Sequence, residues 1–388
     1  MRKPIHILQV AKSTGGVGRY VRSLVHGLDK DRFTLTVVCL SEGSKELARE
    51  FSQVPGVRAI DMQMDRYHIN PMTDAQVWWK LMHIIRGERF DIIHTHAAKP
   101  GFLARTAAIG SGIPVIYCPA AFPFHDGVAK RTANLYASVE RLTAHWLTEK
   151  IVTVCNEERL LAQRYRVGRT DQFVNIYNGV DPAAFQLTPD RAATRASINV
   201  PEEAVLVGTV ARLTDQKAPA DFVGAAAAVH RLHPQVHFVW VGDGELESEM
   251  VSLVQRLGLE AVFHFAGLRP DVPELLKVMD VFVLASHWEG FSISVLEAMA
   301  SGLAVVMTSV SGAAEAVVDG ETGFVVPISD IEALAEAIGN LVADLPRARA
   351  FGRAGRQRLE KYFTLGRMVK EVENLYEEVV VHKNVREN

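Results

Sequence analysis

Two carboxylates, Glu289 and Glu297, flank a turn-to-helix passage in residues 280–302, DVFVLASHWEGFSISVLEAMASG. The run 281–284 is apolar and β-rich and predicts a buried strand. A polar turn containing Gly290 follows, and Ile293, Leu296 and Ala300 then recur at the spacing of one buried helical face. A strand, a glycine-bearing turn and a helix leave backbone N–H groups unpaired at the helix start, where the dipole favours an anion. Glu289 sits in the turn, and Glu297 about 7 Å farther along the helix at ~1.5 Å per residue. That gap suits a ligand with hydroxyls at both ends and phosphate between them, as in a sugar nucleotide. A βα junction with two solvated glutamates accounts for the same residues without a ligand.

Cations of matching chemistry lie upstream. Between a predicted strand at 205–210 and the next helix runs ARLTDQK, residues 211–217. Arg212 offers a planar fork for phosphate oxygens and Lys217 a point charge, so the two together can neutralise a diphosphate without a metal. Near the start, AKSTGGVG (11–18) links a strand at 5–10 to a helix at 17–28. A dinucleotide fingerprint would need glycine at position 21, which is Val21, and no Gly-Lys-Ser/Thr follows for a Walker loop. What remains is Gly15-Gly16, either a close backbone approach to a ligand or a plain tight turn. In FDIIHTHA (90–97), His94 and His96 alternate by two and share a face. No adjacent carboxylate or cysteine completes a metal site. Either His96 contacts a sugar or acts catalytically at a strand end, or both histidines are satisfied core residues.

The bulk properties narrow the class. The 388 residues suit two domains, and 48% hydrophobic with 22% charged content is that of a globular chain. A net charge of -3 gives no electrostatic case for nucleic acid. No apolar run reaches the ~20 residues of a membrane span, and MRKPIHILQV lacks a secretory h-region. The three cysteines, Cys39, Cys118 and Cys155, are dispersed without a CxxC, which suggests neither zinc nor disulfides. A soluble, cytosolic protein is expected, with at most peripheral contact at the inner face of a membrane.

The elements that must position these residues alternate β and α twice. In the first half, strands are expected at 34–40, 56–60, 90–97, 114–118, 151–155 and 174–177, with helices at 77–86, 100–110 and 128–150. Residues 67–78 read as irregular, with a turn at Asn70-Pro71. The helix at 77–86 places Trp78, Leu81, Met82 and Ile85 along one side, which fits a core-facing helix better than a membrane-surface one. NGVDP at 178–182 is a turn, and polar 186–203 reads as the boundary region. The second half repeats the alternation with strands at 205–210, 236–241, 262–266, 281–284, 304–307 and 323–326. The fold class is thus α/β, with domains at 1–183 and 184–364 and a closing helix at 365–388 that can pack back on the first. The cleft between two such domains is the default ligand site.

Taken together, these segments resemble the retaining nucleotide-sugar glycosyltransferases of family 4, with a GT-B architecture of two facing Rossmann-like doubly wound domains. The likeness covers nearly the whole chain. It rests on GGVGRYV, DIIHTH, IYNGVD, GTVARLTDQK, VGDGEL and EGFSISVLEAMASGLAVV followed by DGETGFVVP. The E-x7-E pair is its most specific feature. The resemblance implies that Arg212 and Lys217 hold the donor diphosphate and that Glu297 binds the ribose. It also implies that Glu289 and the N–H groups of Gly290, Phe291 and Ser292 contact the donor sugar, while the Gly15-Gly16 loop covers the phosphates. A UDP- or GDP-sugar donor is implied, with no cofactor and no bound metal; the acceptor, lipid-linked or an oligosaccharide, would meet loops 67–73 and 122–130 of the first domain. Phe122 and Phe124 beside Lys130 and Arg131 would suit a lipid-linked acceptor or an ordinary pocket. Polysaccharide, cell-envelope or other glycoconjugate synthesis is the implied setting. One departure stands out: where many relatives carry His-Gly, this chain has Ala120-Ala121. The sugar contact then falls to His96 or His125, or turnover is weakened. A sugar-nucleotide epimerase and a catalytically weak sugar-nucleotide binding protein remain as alternatives, whereas a phosphorylase would need a much longer chain.

Overall fold

The computed structural model describes residues 3–12, 15–40, 44–65, 70–125 and 127–387. The chain divides into two compact units, Met1–Asn178 with Leu365–Asn388, and Gly179–Thr364. The division falls at Asn178/Gly179, a few residues ahead of the boundary expected at 183. The physical cause is Val180, which bridges Thr364 and donates its N–H to the Phe363 carbonyl at 3.1 Å.

In the first unit, strands β1 (Ile5–Lys12), β2 (Phe33–Leu40), β3 (Val57–Met62), β4 (Ile92–His96), β5 (Val115–Cys118), β6 (Lys150–Thr153) and β7 (Phe173–Asn175) form one parallel sheet. Their order is β3-β2-β1-β4-β5-β6-β7, so the winding reverses between β1 and β4. Such strands are near-continuous apolar runs because helices cover both faces of a parallel sheet. Helix Pro71–Gly87 starts inside the stretch expected to be irregular. Asn70 caps it by accepting from the Met72 and Thr73 N–H groups, and Pro71 occupies the first turn, where a missing N–H costs nothing. Residues 67–69 of that stretch, and of the expected acceptor loop, lie outside the described residues. Val77, Leu81 and Ile85 of this helix are buried, with Trp78 and Met82 packed against them, as a core-facing helix requires. Helices Ser44–Phe51 and Asn156–Arg164 are additional to the sequence expectation. Both are short, which limits any periodic signal.

The closing helix Leu365–Glu387 belongs to the first unit. Its Tyr376 is buried and accepts from Gln9 Nε2 at 2.7 Å, while Arg32 pairs with Glu373 at 2.9 Å.

In the second unit, β8 (Val205–Val210), β9 (Val236–Val241), β10 (Phe263–Gly267), β11 (Val281–Leu284), β12 (Ala304–Thr308) and β13 (Gly323–Val326) form a parallel sheet in the order β10-β9-β8-β11-β12-β13. The winding reverses between β8 and β11. The polar stretch expected as a boundary contains helix Arg191–Ala196 and is bound into this unit. Arg195 is fully buried and meets the Val278 carbonyl and Asp280, 83 and 85 residues away. Both units are thus doubly wound, and in such sheets ligands gather beyond the strand carboxyl ends, where the winding reverses.

Candidate functional site

The reversal between β8 and β11 brings together the two segments singled out from sequence. Val281 pairs with Val207 and Phe282 with Gly208, so the loops after both strands leave the same sheet edge side by side. The first carries Arg212 and Lys217 and the second Ser286 to Ser292.

The Arg212 segment is held by backbone. Leu213 donates its N–H to the Asp243 carbonyl at 2.7 Å, and Leu246 donates to the Leu213 carbonyl at 3.1 Å. Trp240 Nε1 donates to the Ala211 carbonyl at 2.8 Å. The glycines of VGDGEL explain the closeness. A Cβ on Gly242, whose φ is 132°, would sit 2.1 Å from the Ala211 oxygen, and one on Gly244 would sit 2.2 Å from the Leu213 oxygen. Only glycine fits either place. Arg212 itself is half-buried.

Lys217 ends a short 3-10 turn, Asp215–Lys217, before helix Pro219–Leu232. Its ammonium donates to Glu289 Oε1, the oxygen that also accepts the Ser286 hydroxyl at 2.7 Å. The side chains of Lys217 and Glu289 are 16% and 9% exposed. Two backbone-anchored bonds tie the same loops: Gln216 Nε2 to the Trp288 carbonyl at 3.0 Å, and the His287 N–H to the Gln216 carbonyl at 2.9 Å. Thr308, at the end of β12, donates to the Ser286 carbonyl at 2.6 Å. Ser286, Gln216 and Thr308 escaped the sequence reading. Their signal, small polar residues in loops, is too common to single them out.

Beyond Glu289, Gly290 and Phe291 are buried, and Ser292 caps helix Ile293–Ser301 without a side-chain cap bond. First-turn N–H groups have no partner within their own helix. Val295, Leu296 and the run from Ala298 to Ala300 are buried, while Glu297 is half-buried one turn in. Arg212, Lys217, Glu289, Gly290, Phe291, Ser292 and Glu297 therefore all lie on the loops and first helical turns at this one switch point.

The remaining expected residues belong to the first unit. Gly15, with φ of 67°, opens helix Gly15–Gly27, and a Cβ on Gly16 would meet nothing within 4 Å. Residues 13–14 of that loop lie outside the described residues. His96 is fully buried at the end of β4. Its Nε2 meets Gln9 Oε1 at 2.6 Å, its ring lies 4.1 Å from that of His94, and His94 Nδ1 meets the Tyr376 hydroxyl at 2.7 Å. Burial pushes the His96 imidazole down to about 3 and holds His94 well below the usual histidine range, the neighbouring His96 adding to the shift. Both rings are neutral members of an interior hydrogen-bonded network. Among the described residues no group of three or more His, Cys, Asp or Glu side chains is arranged to hold a metal ion.

Loop 119–127 differs from its expected appearance. Phe122 and Phe124 are buried and stacked with centroids 4.8 Å apart, so they cannot greet an acceptor. Ala120 and Ala121 have φ of 54° and 116°, and Ala97 after β4 has φ of 67°. Residues with a Cβ rarely hold such angles unless the surroundings enforce them, and strained residues of this kind cluster at ligand sites. Ala121 is anchored by Glu158, which accepts the Ala121 N–H at 2.8 Å and the Val154 N–H at 2.8 Å. Its burial outweighs those two bonds and raises its carboxyl to about 7. Asp126 in this loop lies outside the described residues, and His125 is half-buried.

The family profile described as Glycosyl transferases group 1 matches residues 190–358, and that described as Glycosyl transferase 4-like domain matches 15–179. Alpha-maltose-1-phosphate synthase of Mycolicibacterium smegmatis is 31% identical over 314 residues, 75% of this chain and 80% of that protein. UDP-Gal:alpha-D-GlcNAc-diphosphoundecaprenol alpha-1,3-galactosyltransferase of Escherichia coli is 27% identical over 381 residues, 97% of each chain. An Anabaena protein solved in complex with UDP and glucose shares the fold, with a TM-score of 0.81, 19% identity and coverage of 97% of this chain and 100% of that one. Sucrose-phosphate synthase from Thermosynechococcus elongatus does likewise, at 0.83 and 23%, covering 98% and 100%. Two parallel doubly wound sheets, motifs shared along nearly the whole chain and these matches have one consequence: the protein is a glycosyltransferase of the group 1, family 4-like class with the GT-B fold.

Proposed function

We propose that the protein is a retaining transferase that moves a sugar from a nucleoside diphosphate sugar to an acceptor hydroxyl. The observation that carries this reading is the pairing of Lys217 with Glu289 at the β8/β11 switch point, with Arg212 on the same loop and a helix start beside it. Arg212 and Lys217 bind the donor diphosphate, and the N–H groups of Gly290, Phe291 and Ser292 lie at the sugar end. Glu297, one turn into the helix, accepts from the ribose hydroxyls. Glu289 uses Oε1 to hold Lys217 and Ser286, which leaves Oε2 for a sugar hydroxyl. In the first unit, Gly16 has space where a Cβ would sit, which leaves its backbone open to a phosphate oxygen; His96, being buried and neutral, takes no part.

The anomeric carbon–oxygen bond to the β-phosphate breaks, and the acceptor oxygen bonds to the same face of the sugar. The acceptor proton passes to a phosphate oxygen of the departing nucleotide. Cations preorganised around that phosphate stabilise the charge that grows on it, and no protein-bound metal is needed in this scheme. The E. coli relative, by its name, uses UDP-Gal and an acceptor on diphosphoundecaprenol, which supports a UDP-sugar and a lipid-linked acceptor in envelope or polysaccharide synthesis.

A thermal-shift panel of UDP-, GDP- and ADP-sugars tests the reading, because a ligand that binds only the folded chain raises its melting temperature. A shift with one nucleotide class, lost in Arg212→Glu, is expected. Unchanged donor affinity in that variant would overturn the assignment. NMR of the product's anomeric proton then reads retention directly.

A further inference from the structure

Helix Lys130–Leu147 carries two apolar faces. The inward one is made of small residues, Ala133, Ala137 and Ala144, packed against the sheet with Tyr117 and Ile151. On the opposite side, Leu135, Val139, Leu142 and Trp146 follow at i, i+4, i+7 and i+11, one continuous stripe. This stripe faces outward: Leu135 and Leu142 are each 64% exposed and Trp146 is 72% exposed. An ordinary surface helix has the reverse pattern, large apolar residues inward and polar ones outward.

The charge on the same layer is one-sided. Helices Pro71–Gly87 and Lys130–Leu147 both pack on the helix between them, Ala98–Ala107. The three helices hold two carboxylates, Asp74 and Glu140, and both are buried and consumed inside the layer. Lys99 pairs with Asp74 at 2.7 Å, and Arg105 with Glu140 at 2.8 Å. Lys80, Arg86, Lys130, Arg131 and Arg141 are exposed, without an exposed acid among the described residues of these helices. Arg131 extends the stripe one turn toward the helix start. Trp79, 55% exposed, and Phe102 add aromatic surface on the two neighbouring helices.

We propose that this helix layer is a docking surface for an anionic lipid bilayer, with Leu135, Leu142 and Trp146 entering the headgroup boundary and the exposed lysines and arginines meeting lipid phosphates. Leucine and tryptophan on one face with flanking cations is the arrangement that lies in a membrane interface. That the described residues of these three helices include no exposed carboxylate removes one source of repulsion that an anionic surface would otherwise meet. Adsorption here brings the acyl-headgroup boundary to the unit that carries loop 119–127, without any membrane-crossing segment; no described helix is long and apolar enough to cross. The proposal does not depend on the donor assignment, because it is tested without sugar nucleotide.

Flotation with phosphatidylcholine vesicles, alone and with about 30% phosphatidylglycerol, decides the matter. The full chain should float with the anionic vesicles and not with the neutral ones, and raised salt should release it. Reversing two cations, Arg131→Glu with Arg141→Glu, should lower the bound fraction about tenfold or more. Leu142→Glu with Trp146→Glu should abolish binding while circular dichroism stays that of the wild type. Should that pair misfold, Trp146→Phe gives the second measurement, since the vesicle-induced blue shift of tryptophan emission should shrink with that one ring. Failure to float, binding that ignores both sets of variants, or a dimer in sedimentation that Trp146→Glu dissociates with no vesicle binding would each overturn the proposal, the last in favour of a second copy of this chain.

Discussion

The Lys217 ammonium rests on Glu289 Oε1, across 72 residues of sequence and between loops of adjacent strands. The cation proposed for the donor diphosphate is therefore already seated on a carboxylate, and the Ser286 hydroxyl donates to the same carboxylate oxygen. Such a pair prevents Lys217 from wandering into solvent when no donor is bound. On the proposed function, it would also couple phosphate binding to sugar recognition, since a donor touching one partner would perturb the other.

Breaking this pair from one side leaves a largely desolvated charge alone. Lys217→Met and Glu289→Gln should each destabilise the chain, by about 3 kcal/mol where no water replaces the partner. The double variant should cost less than the two singles added. Urea unfolding of all four proteins measures the coupling, and strict additivity would show that the two side chains do not hold each other.

Glu297→Ala removes the carboxylate proposed to accept from the ribose hydroxyls. At UDP concentrations near a hundred times Kd, the wild type should gain about 2.7 kcal/mol of stability from the ligand. The variant should lose most of that shift while its ligand-free melting temperature stays close to the wild type's, as the side chain is only half-buried. Full retention of the UDP shift refutes the ribose role.

Ala121, with φ of 116°, occupies a conformation suited to glycine. Ala121→Gly should stabilise the protein by roughly 1 kcal/mol, the relieved strain exceeding the added freedom of the unfolded chain. Ala97→Gly should act in the same direction. Chemical denaturation reads both, and a loss of stability in either would mean that the alanine methyl makes packing contacts worth more than the strain.

Glu158 and His96 give opposite pH dependences. A carboxyl raised from 4.5 to about 7 keeps its proton in the folded chain where the unfolded chain has lost it. Its contribution is therefore complete below about pH 4.5 and declines as pH rises to about 7, by roughly 3 kcal/mol. For His96, lowered from 6.5 to about 3, the unfolded chain takes the proton first, so stability is complete above pH 6.5 and lost as pH falls toward 3. Subtracting the stability-against-pH curve of Glu158→Gln from that of the wild type should leave a falling slope between pH 4.5 and 7. His96→Asn should leave a rising one between 3 and 6.5. Flat difference curves would contradict both assignments.

Much was legible in the chain alone. Apolar runs separated by helical periods announce two doubly wound sheets, since strands buried on both faces must be apolar throughout. The E-x7-E passage and ARLTDQK stood out by residue type and spacing, and the fold sets both at one switch point. Helix Pro71–Gly87 was obscured because Asn70-Pro71 serves equally as a turn and as a helix cap. Helix Arg191–Ala196 was obscured because its burial depends on one arginine reaching a distant carbonyl.

Pairing across the folded sheet was decided only in three dimensions. Nothing in the sequence says that Lys217 meets Glu289; the order β9-β8-β11-β12 does, by setting their loops side by side. The histidines of DIIHTH looked fit for catalysis until Gln9 and Tyr376, the latter 282 residues from His94, closed over them in a fully buried interior that disfavours their charged forms. Likewise Phe122 and Phe124 turned inward while Leu142 and Trp146 turned out, because periodicity finds an apolar face but only packing shows which way it points.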